Sequence, residues 1–246
     1  MLKRLSLYTL LLCLVPFFAW LTHWQWQGDE HNTVFDTFLY FLTETGSVPY
    51  AIITCGVFAV AYFFCIADKK QALAVIAVMA LSVGVTQGVK SALKTVFAES
   101  RPFIVQLAEK SSVSPDYFYD QPRNEREKIV LDYYADKQVD AHLVHHRSKE
   151  TGYSFPSGHS IFAATWLMLA VGFGQLLGRN NKGMKYLTAG IAVWAVLMLV
   201  SRLRLGMHYP IDLLVSVLLA WVFHCGLFDW IKNKPIFNRT LQDRVQ

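Results

Sequence analysis

The sequence has little charge for its length. Of its 246 residues only 17% are charged, whereas 54% are hydrophobic, and the mean hydropathy is +0.31. A soluble domain of this size buries a core but is not this apolar overall, and several apolar runs reach the roughly 20 residues that cross a bilayer. The shortage of charge therefore argues against an ordinary soluble domain and predicts a polytopic membrane protein.

The four cysteines lack the spacing of a redox or metal-binding motif. Cys13, Cys55, Cys65 and Cys225 each lie in an apolar run, and no CxxC pair occurs. We interpret them as small buried hydrophobic side chains rather than disulfide partners or metal ligands. The chain also has no internal repeat, which argues against a repeat architecture.

Six apolar segments predict an all-α bundle of six transmembrane helices that forms a single domain, 1–246. They lie at about 5–23, 48–67, 71–97, 158–178, 185–203 and 211–231. The first segment has no small-residue cleavage site before Trp24, so an uncleaved span is expected rather than a signal peptide. Residues 34–43 are apolar but too short to cross, which indicates an interfacial or re-entrant piece. The polar stretch of about 99–152 is predicted to be an extramembrane insert, with a short amphipathic helix at 123–138.

The distribution of Lys and Arg predicts the orientation, because cytoplasmic loops of membrane proteins are enriched in these residues. A cytoplasmic N-terminus places the following basic residues inside: Lys3, Arg4, Lys69, Lys70, Arg179, Lys182, Lys185, Lys232, Lys234 and Arg239. The first outside loop has Asp29 and Glu30 but neither Lys nor Arg. Topology thus explains the net charge of +5 better than nucleic-acid binding does. In a Gram-negative bacterium the insert would face the periplasm from the inner membrane.

Three polar clusters adjoin the predicted spans and, with this orientation, open to the same side of the membrane. In the first, the spacing of Lys94 and Arg101 predicts a shared helical face, about 10 Å apart along the axis. Pro102 is expected to end that helix. The second cluster, residues 156–159, has the sequence PSGH and opens the fourth span. The third, residues 201–212, joins the fifth and sixth spans.

These clusters contain the groups that bind an oxyanion. Lys94, Arg101 and Arg202 supply positive charge, and the two arginines can fork onto phosphoryl oxygens. Ser157 supplies a hydroxyl group. Gly158 allows backbone N–H groups to approach an anion closely at the N-terminus of a helix.

The clusters also contain a candidate nucleophile and a candidate acid. His208 and Asp212 are four residues apart, so on a helix they would face each other. The carboxylate would fix the imidazole tautomer and raise its basicity. His159 is a second imidazole that can give a proton to a leaving group. Together these groups suit cleavage of a phosphate ester through a phosphohistidine, without a metal or cofactor.

The motifs Kx6RP, PSGH and SRx5Hx3D, in this order, resemble the signature of the type 2 phosphatidic acid phosphatase family, which includes the vanadium haloperoxidases. The six spans and the long insert resemble the bacterial phosphatidylglycerophosphatase B branch of that family. The resemblance implies that His208 attacks phosphorus, that Asp212 positions His208, and that His159 protonates the leaving alkoxide and later activates water. It implies that the phosphoryl oxygens are held by Lys94, Arg101, Ser157, Gly158 and Arg202.

The implied substrates are phosphatidylglycerophosphate, phosphatidic acid, lysophosphatidic acid and undecaprenyl diphosphate. The bilayer and these lipids are the expected partners, with no nucleic acid and no obligate protein partner. Two alternatives remain open, a haloperoxidase with vanadate in the same cradle and a non-catalytic transporter or binding protein for lipid phosphates. A metal site at His142, His145 and His146 is a weaker hypothesis. Glu150 is expected to shape the entrance rather than to act in catalysis.

Overall fold

The computed structural model describes residues 1–28, 33–177 and 181–237. Four charged residues used for the predicted orientation, Asp29, Glu30, Arg179 and Arg239, lie outside these ranges. Within them every regular element is helical, which confirms the all-α class. The helices are α1 Leu2–Leu21, α2 Val34–Glu44, α3 Tyr50–Cys65, α4 Lys69–Phe97, α5 Pro102–Glu109, α6 Pro115–Asp120, α7 Arg123–Tyr134, α8 Ala141–Lys149, α9 Gly158–Leu176, α10 Lys182–Arg204 and α11 Pro210–Ile231.

Five of these helices, α1, α4, α9, α10 and α11, are long and apolar enough to cross a membrane. Helix α3 is also apolar but has only 16 residues. All six coincide with the predicted segments, but the count of six crossings stays a prediction because α3 is short. Helix α2 begins at the capping box of Thr33 and Asp36 and covers the apolar stretch that was expected to lie at the interface.

Helix α9 lies at the centre of the bundle. Its side chains from His159 to Phe173 are all buried, and it packs against α1, α4, α10 and α11. The surrounding helices expose large apolar side chains such as Leu10, Ile52 and Val222. A bundle that buries one helix completely and turns apolar faces outward is typical of a protein surrounded by lipid.

The insert forms four short helices, α5 to α8, over a second apolar core. Phe103, Phe118, Val130 and Leu143 meet in this core, together with Leu205 from the end of α10. Helix α7 covers most of the predicted amphipathic segment but ends at Tyr134. The insert is therefore packed onto the end of the bundle where α10 finishes.

The first motif is bent, which corrects two predictions. Ala98 has φ 45° and ψ 39°, so the left-handed conformation at this residue ends α4 after Phe97. Arg101 is extended, and Pro102 begins α5 instead of ending a helix. Proline is accepted at a first helical position because the missing N–H has no partner there in any case. Lys94 and Arg101 therefore do not share one helical face.

The cysteines are less buried than predicted. Cys13, Cys55, Cys65 and Cys225 are free and partly exposed, and each packs at the edge of the apolar core. They face neighbouring helices or the lipid surface rather than a closed interior.

Candidate active site

A cavity of about 330 Å³ opens where α3, α4 and α9 meet the connection between α10 and α11. Its lining includes five of the predicted site residues: Lys94, Arg101, Gly158, His159 and His208. The other three, Ser157, Arg202 and Asp212, are fully buried behind this lining. The structure thus brings both imidazoles and two of the three predicted cations to a single cavity.

His208 and Asp212 meet, although they do not share a helix. His208 precedes α11, whose N-cap is Tyr209 and whose third residue is Asp212. The Nδ1 atom of His208 lies 3.1 Å from Oδ2 of Asp212, which also accepts a hydrogen bond of 3.0 Å from the backbone N–H of Tyr209. Because a carboxylate accepts, Nδ1 carries the proton and Nε2 keeps its lone pair. Nη1 of Arg101 lies 3.5 Å from that Nε2.

The environment makes His208 less basic, not more basic as the pairing with Asp212 suggested. Burial lowers the pKa of His208 well below its ordinary value, and the positive charges of Arg101, Arg202 and Lys94 lower it further. An imidazole in this position is neutral at pH 7, which is the form that a nucleophile requires.

Ser154 is a member of the site that the sequence analysis missed. Its hydroxyl group donates a hydrogen bond to Oδ2 of Asp212 and lies 3.2 Å from Nδ1 of His208. Ser154 is fully buried. No charge or motif singles it out in the sequence, beyond its place three residues before Ser157.

The segment that leads into α9 holds the two cations of the first motif. Arg101 donates through Nε to the carbonyl of Gly152 at 2.7 Å and through Nη2 to Oε2 of Glu150 at 2.9 Å. Lys94 donates to the backbone carbonyls of Tyr153 and Ser154. The bend after α4 thus positions both cations against residues 150–154.

Glu150 lines the cavity as an ionised carboxylate. Burial by itself would raise the pKa of Glu150, but Arg101, His159, Arg202 and His146 outweigh this effect and lower it well below its ordinary value. The sequence analysis expected Glu150 to shape the entrance, and its contact with Arg101 gives it a direct electrostatic link to the site.

Arg202 is fully buried and only partly satisfied. Its Nη1 donates to Oγ1 of Thr43 at 2.7 Å and to Nε2 of His146 at 3.0 Å. Its Nε and Nη2 have no hydrogen-bond partner in the described part of the chain. Because an unpaired buried donor is costly, two free guanidinium donors beside a cavity indicate an oxyanion site.

His146 serves this arginine rather than a metal ion. Its Nδ1 lies 2.6 Å from Oε1 of Glu44, and no group of three or more His, Cys, Asp or Glu side chains that could hold a metal occurs within the described ranges. The hypothesis of a metal site at His142, His145 and His146 therefore finds no support in the geometry.

The start of α9 follows the predicted helix-start pattern. Ser157 is the N-cap, and its hydroxyl group accepts from the backbone N–H of Ser160 at 3.3 Å. This hydroxyl group is used for capping and does not line the cavity. The Nε2 atom of His159 lies 2.9 Å from Oγ of Ser47, at the beginning of the chain that leads into α3.

Comparison with known proteins identifies the family. A profile of the PAP2 superfamily matches residues 71–236, which include all of the predicted site residues. The chain belongs to the PAP2 superfamily. This PAP2 chain is 56% identical over 238 residues to phosphatidylglycerophosphatase B of Haemophilus influenzae, covering 96% of the chain and 99% of that relative. It is 36% identical over 234 residues to phosphatidylglycerophosphatase B of Escherichia coli, covering 94% of the chain and 89% of that relative.

Proposed function

We propose that this PAP2 protein is an integral membrane lipid phosphatase that converts phosphatidylglycerophosphate to phosphatidylglycerol. The names of the relatives from Haemophilus influenzae and Escherichia coli support this substrate. Phosphatidic acid, lysophosphatidic acid and undecaprenyl diphosphate carry the same terminal phosphoryl group, and we propose them as further substrates. The site would face the periplasm from the bacterial inner membrane.

One observation carries the proposal: a neutral imidazole with a free Nε2 faces a cavity that also holds a second imidazole and a guanidinium group. His208 is oriented by Asp212, and Arg101 lies next to its Nε2. A binding protein or transporter for lipid phosphates needs the positive charge but has no use for an oriented nucleophile. The His208–Asp212 pair therefore favours an enzyme.

The proposed reaction has two steps. Nε2 of His208 attacks phosphorus, the bond between phosphorus and the leaving oxygen breaks, and His159 gives its proton to that oxygen. Water then attacks the phosphohistidine, the P–N bond breaks, and neutral His159 takes a proton from the water. Arg101, Lys94 and Arg202 offset the charge that develops on the phosphoryl oxygens in both steps.

The apolar part of the cavity suits the lipid portion of such a substrate. Val48, Ala51 and Ile52 on the α3 side and Val83 on α4 line the cavity away from the charged groups. A lipid could keep its tails in the outer leaflet while its phosphate group reaches His208. This arrangement supports a lipid phosphate in preference to a small water-soluble ester, and it argues against the haloperoxidase alternative.

Phosphate release from phosphatidylglycerophosphate tests the proposal with the purified protein in detergent and EDTA present. Wild-type protein should release phosphate, and His208→Ala should lose at least about 10³-fold in kcat while eluting and melting like the wild type. A rapid base quench with labelled substrate should trap an acid-labile phosphoryl group on the wild type and none on His208→Ala. Turnover that survives in a folded His208→Ala variant, or that requires a metal, would contradict the mechanism.

A further inference from the structure

Lys90 is the one lysine of the cavity lining that the proposed mechanism does not use. It lies on α4 one helical turn before Lys94, roughly 6 Å away along the axis on the same face. Both lysines line the cavity. Lys94 donates to two backbone carbonyls, whereas Lys90 has no hydrogen-bond or ion-pair partner among the described residues. An ionisable side chain within a membrane-spanning helix is costly and therefore indicates a function.

The position of Lys90 associates it with the leaving group. A Cβ atom added to Gly158 would lie 2.9 Å from Cδ and 3.6 Å from Nζ of Lys90, so the ammonium group lies beside the first residue of α9. The next residue is His159, the proposed acid. The nucleophile His208 and its neighbour Arg101 contribute to the same cavity from the connection before α11 and from the bend after α4. Because the acid must stand next to the leaving oxygen, Lys90 lies on the side from which the leaving group departs.

We infer that Lys90 binds a second phosphate group that belongs to the leaving group, so that the cavity prefers lipids with two phosphates to lipids with one. This inference rests on the proposed function. Phosphatidylglycerophosphate leaves as a phosphodiester anion, and a prenyl diphosphate leaves as a monophosphate. Phosphatidic acid, in contrast, leaves as a neutral diacylglycerol. A cation next to the acid assists only the first two, because only they carry negative charge at that position.

The test compares two substrates that share the same diacylglycerol tail, phosphatidylglycerophosphate and phosphatidic acid, with wild-type protein and Lys90→Met. The methionine keeps the length and the apolar stem of lysine but removes its charge. We expect kcat/KM for phosphatidylglycerophosphate to fall about ten- to a hundredfold, as for the loss of one charged hydrogen bond. The value for phosphatidic acid should change by less than about threefold. Farnesyl diphosphate and farnesyl monophosphate should repeat this difference with a prenyl tail.

Lys70→Met is the matched control, because Lys70 lies exposed at the opposite end of α4 and should leave both rates unchanged. An equal loss for both substrates would overturn the inference, since Lys90 would then bind the scissile phosphate. No loss for either substrate would overturn it as well, because Lys90 would then be only a lysine whose charge reaches the membrane edge. Hydrolysis of phosphatidic acid by the wild type tests the proposed function separately from this preference.

Discussion

Nε2 of His146 lies 3.0 Å from Nη1 of Arg202, although one residue belongs to the insert and the other to a membrane-spanning helix. A guanidinium group can only donate, so Nε2 accepts and Nδ1 carries the proton that Glu44 receives at 2.6 Å. The chain from Glu44 through His146 to Arg202 therefore holds one edge of the guanidinium group. Its Nε and Nη2 are left without a protein partner.

Replacing His146 should test this positioning. Gln at 146 can place an acceptor near the position of Nε2, whereas Asn can reach only the position of Nδ1. We expect His146→Asn to weaken product inhibition by inorganic phosphate about tenfold or more, as for the loss of one hydrogen bond to a charged group. His146→Gln should retain most of the affinity.

The inhibition constants are measured beside thermal midpoints, so that binding and folding are separated. Equal losses in both variants with lowered midpoints would show a structural role only, and unchanged inhibition in both would show that Arg202 does not need His146.

The pH profile should reflect the low basicity of His208. Burial and the adjacent cations lower its pKa from the ordinary value of 6.5, so the imidazole is protonated only under more acidic conditions. The rate constant kcat/KM, corrected for titration of the substrate phosphate, should stay level as pH falls through 6.5 and decline only below it. Arg101→Gln removes one of these cations and should move the decline toward higher pH. A decline of the wild type centred at or above pH 6.5 would contradict this electrostatic account.

Gly46 should be needed to keep the proposed acid in place. A Cβ atom there would lie 2.7 Å from Cδ2 of His159 and 3.2 Å from Cε of Met198. We therefore expect Gly46→Ala to displace the imidazole and to slow alkyl phosphates, which need a proton on the leaving oxygen, much more than aryl phosphates. His159→Ala should show the same selectivity more strongly. Gly84→Ala, where nothing lies within 4 Å of the added atom, should change neither rate, and a uniform loss in Gly46→Ala would rule out this effect on the acid.

Gly172 should be needed for the packing of α9 against α11. An added Cβ atom would come within 2.1 Å of the ring of Phe228. Overpacking of this kind costs about 1–3 kcal/mol, so the thermal midpoint of Gly172→Ala in detergent should fall by several degrees. Gly226→Ala on α11 meets nothing within 4 Å and should match or exceed the wild type, because alanine favours a helix. A midpoint for Gly172→Ala equal to that of Gly226→Ala would contradict the packing described.

The all-α class and the family could both be predicted from the chain, and each is confirmed. The motif spacing also predicted a common site, and the structure places His159 and His208 on one cavity. The local geometry could not be predicted in the same way. Lys94 and Arg101 have a helical spacing, but the left-handed Ala98 between them turns the chain away. His208 and Asp212 are also four apart, yet they meet across a helix start instead of along a helix.

Residues without a motif escaped prediction because their roles depend on distant partners. Ser47 contacts His159 across 112 residues, and Glu44 contacts His146 across 102. Ser154 reaches Asp212 across 58 residues. Nothing in the local sequence of these residues marks them, since a hydroxyl or carboxylate near a membrane surface is ordinary.

The amino-acid sequence alone determined that this chain is a bundle of apolar helices with its cations, imidazoles and carboxylate grouped at their ends. The physical reason is local: a backbone in lipid must satisfy its own hydrogen bonds, so long apolar runs become helices and polar residues collect where those helices stop. Only the tertiary structure decided which side chains hold Arg202, orient His208 and border His159, and it alone placed Lys90 in the cavity. Those contacts depend on how α2, the insert and α9 pack against one another, and packing between distant segments is not encoded in the spacing of any one of them.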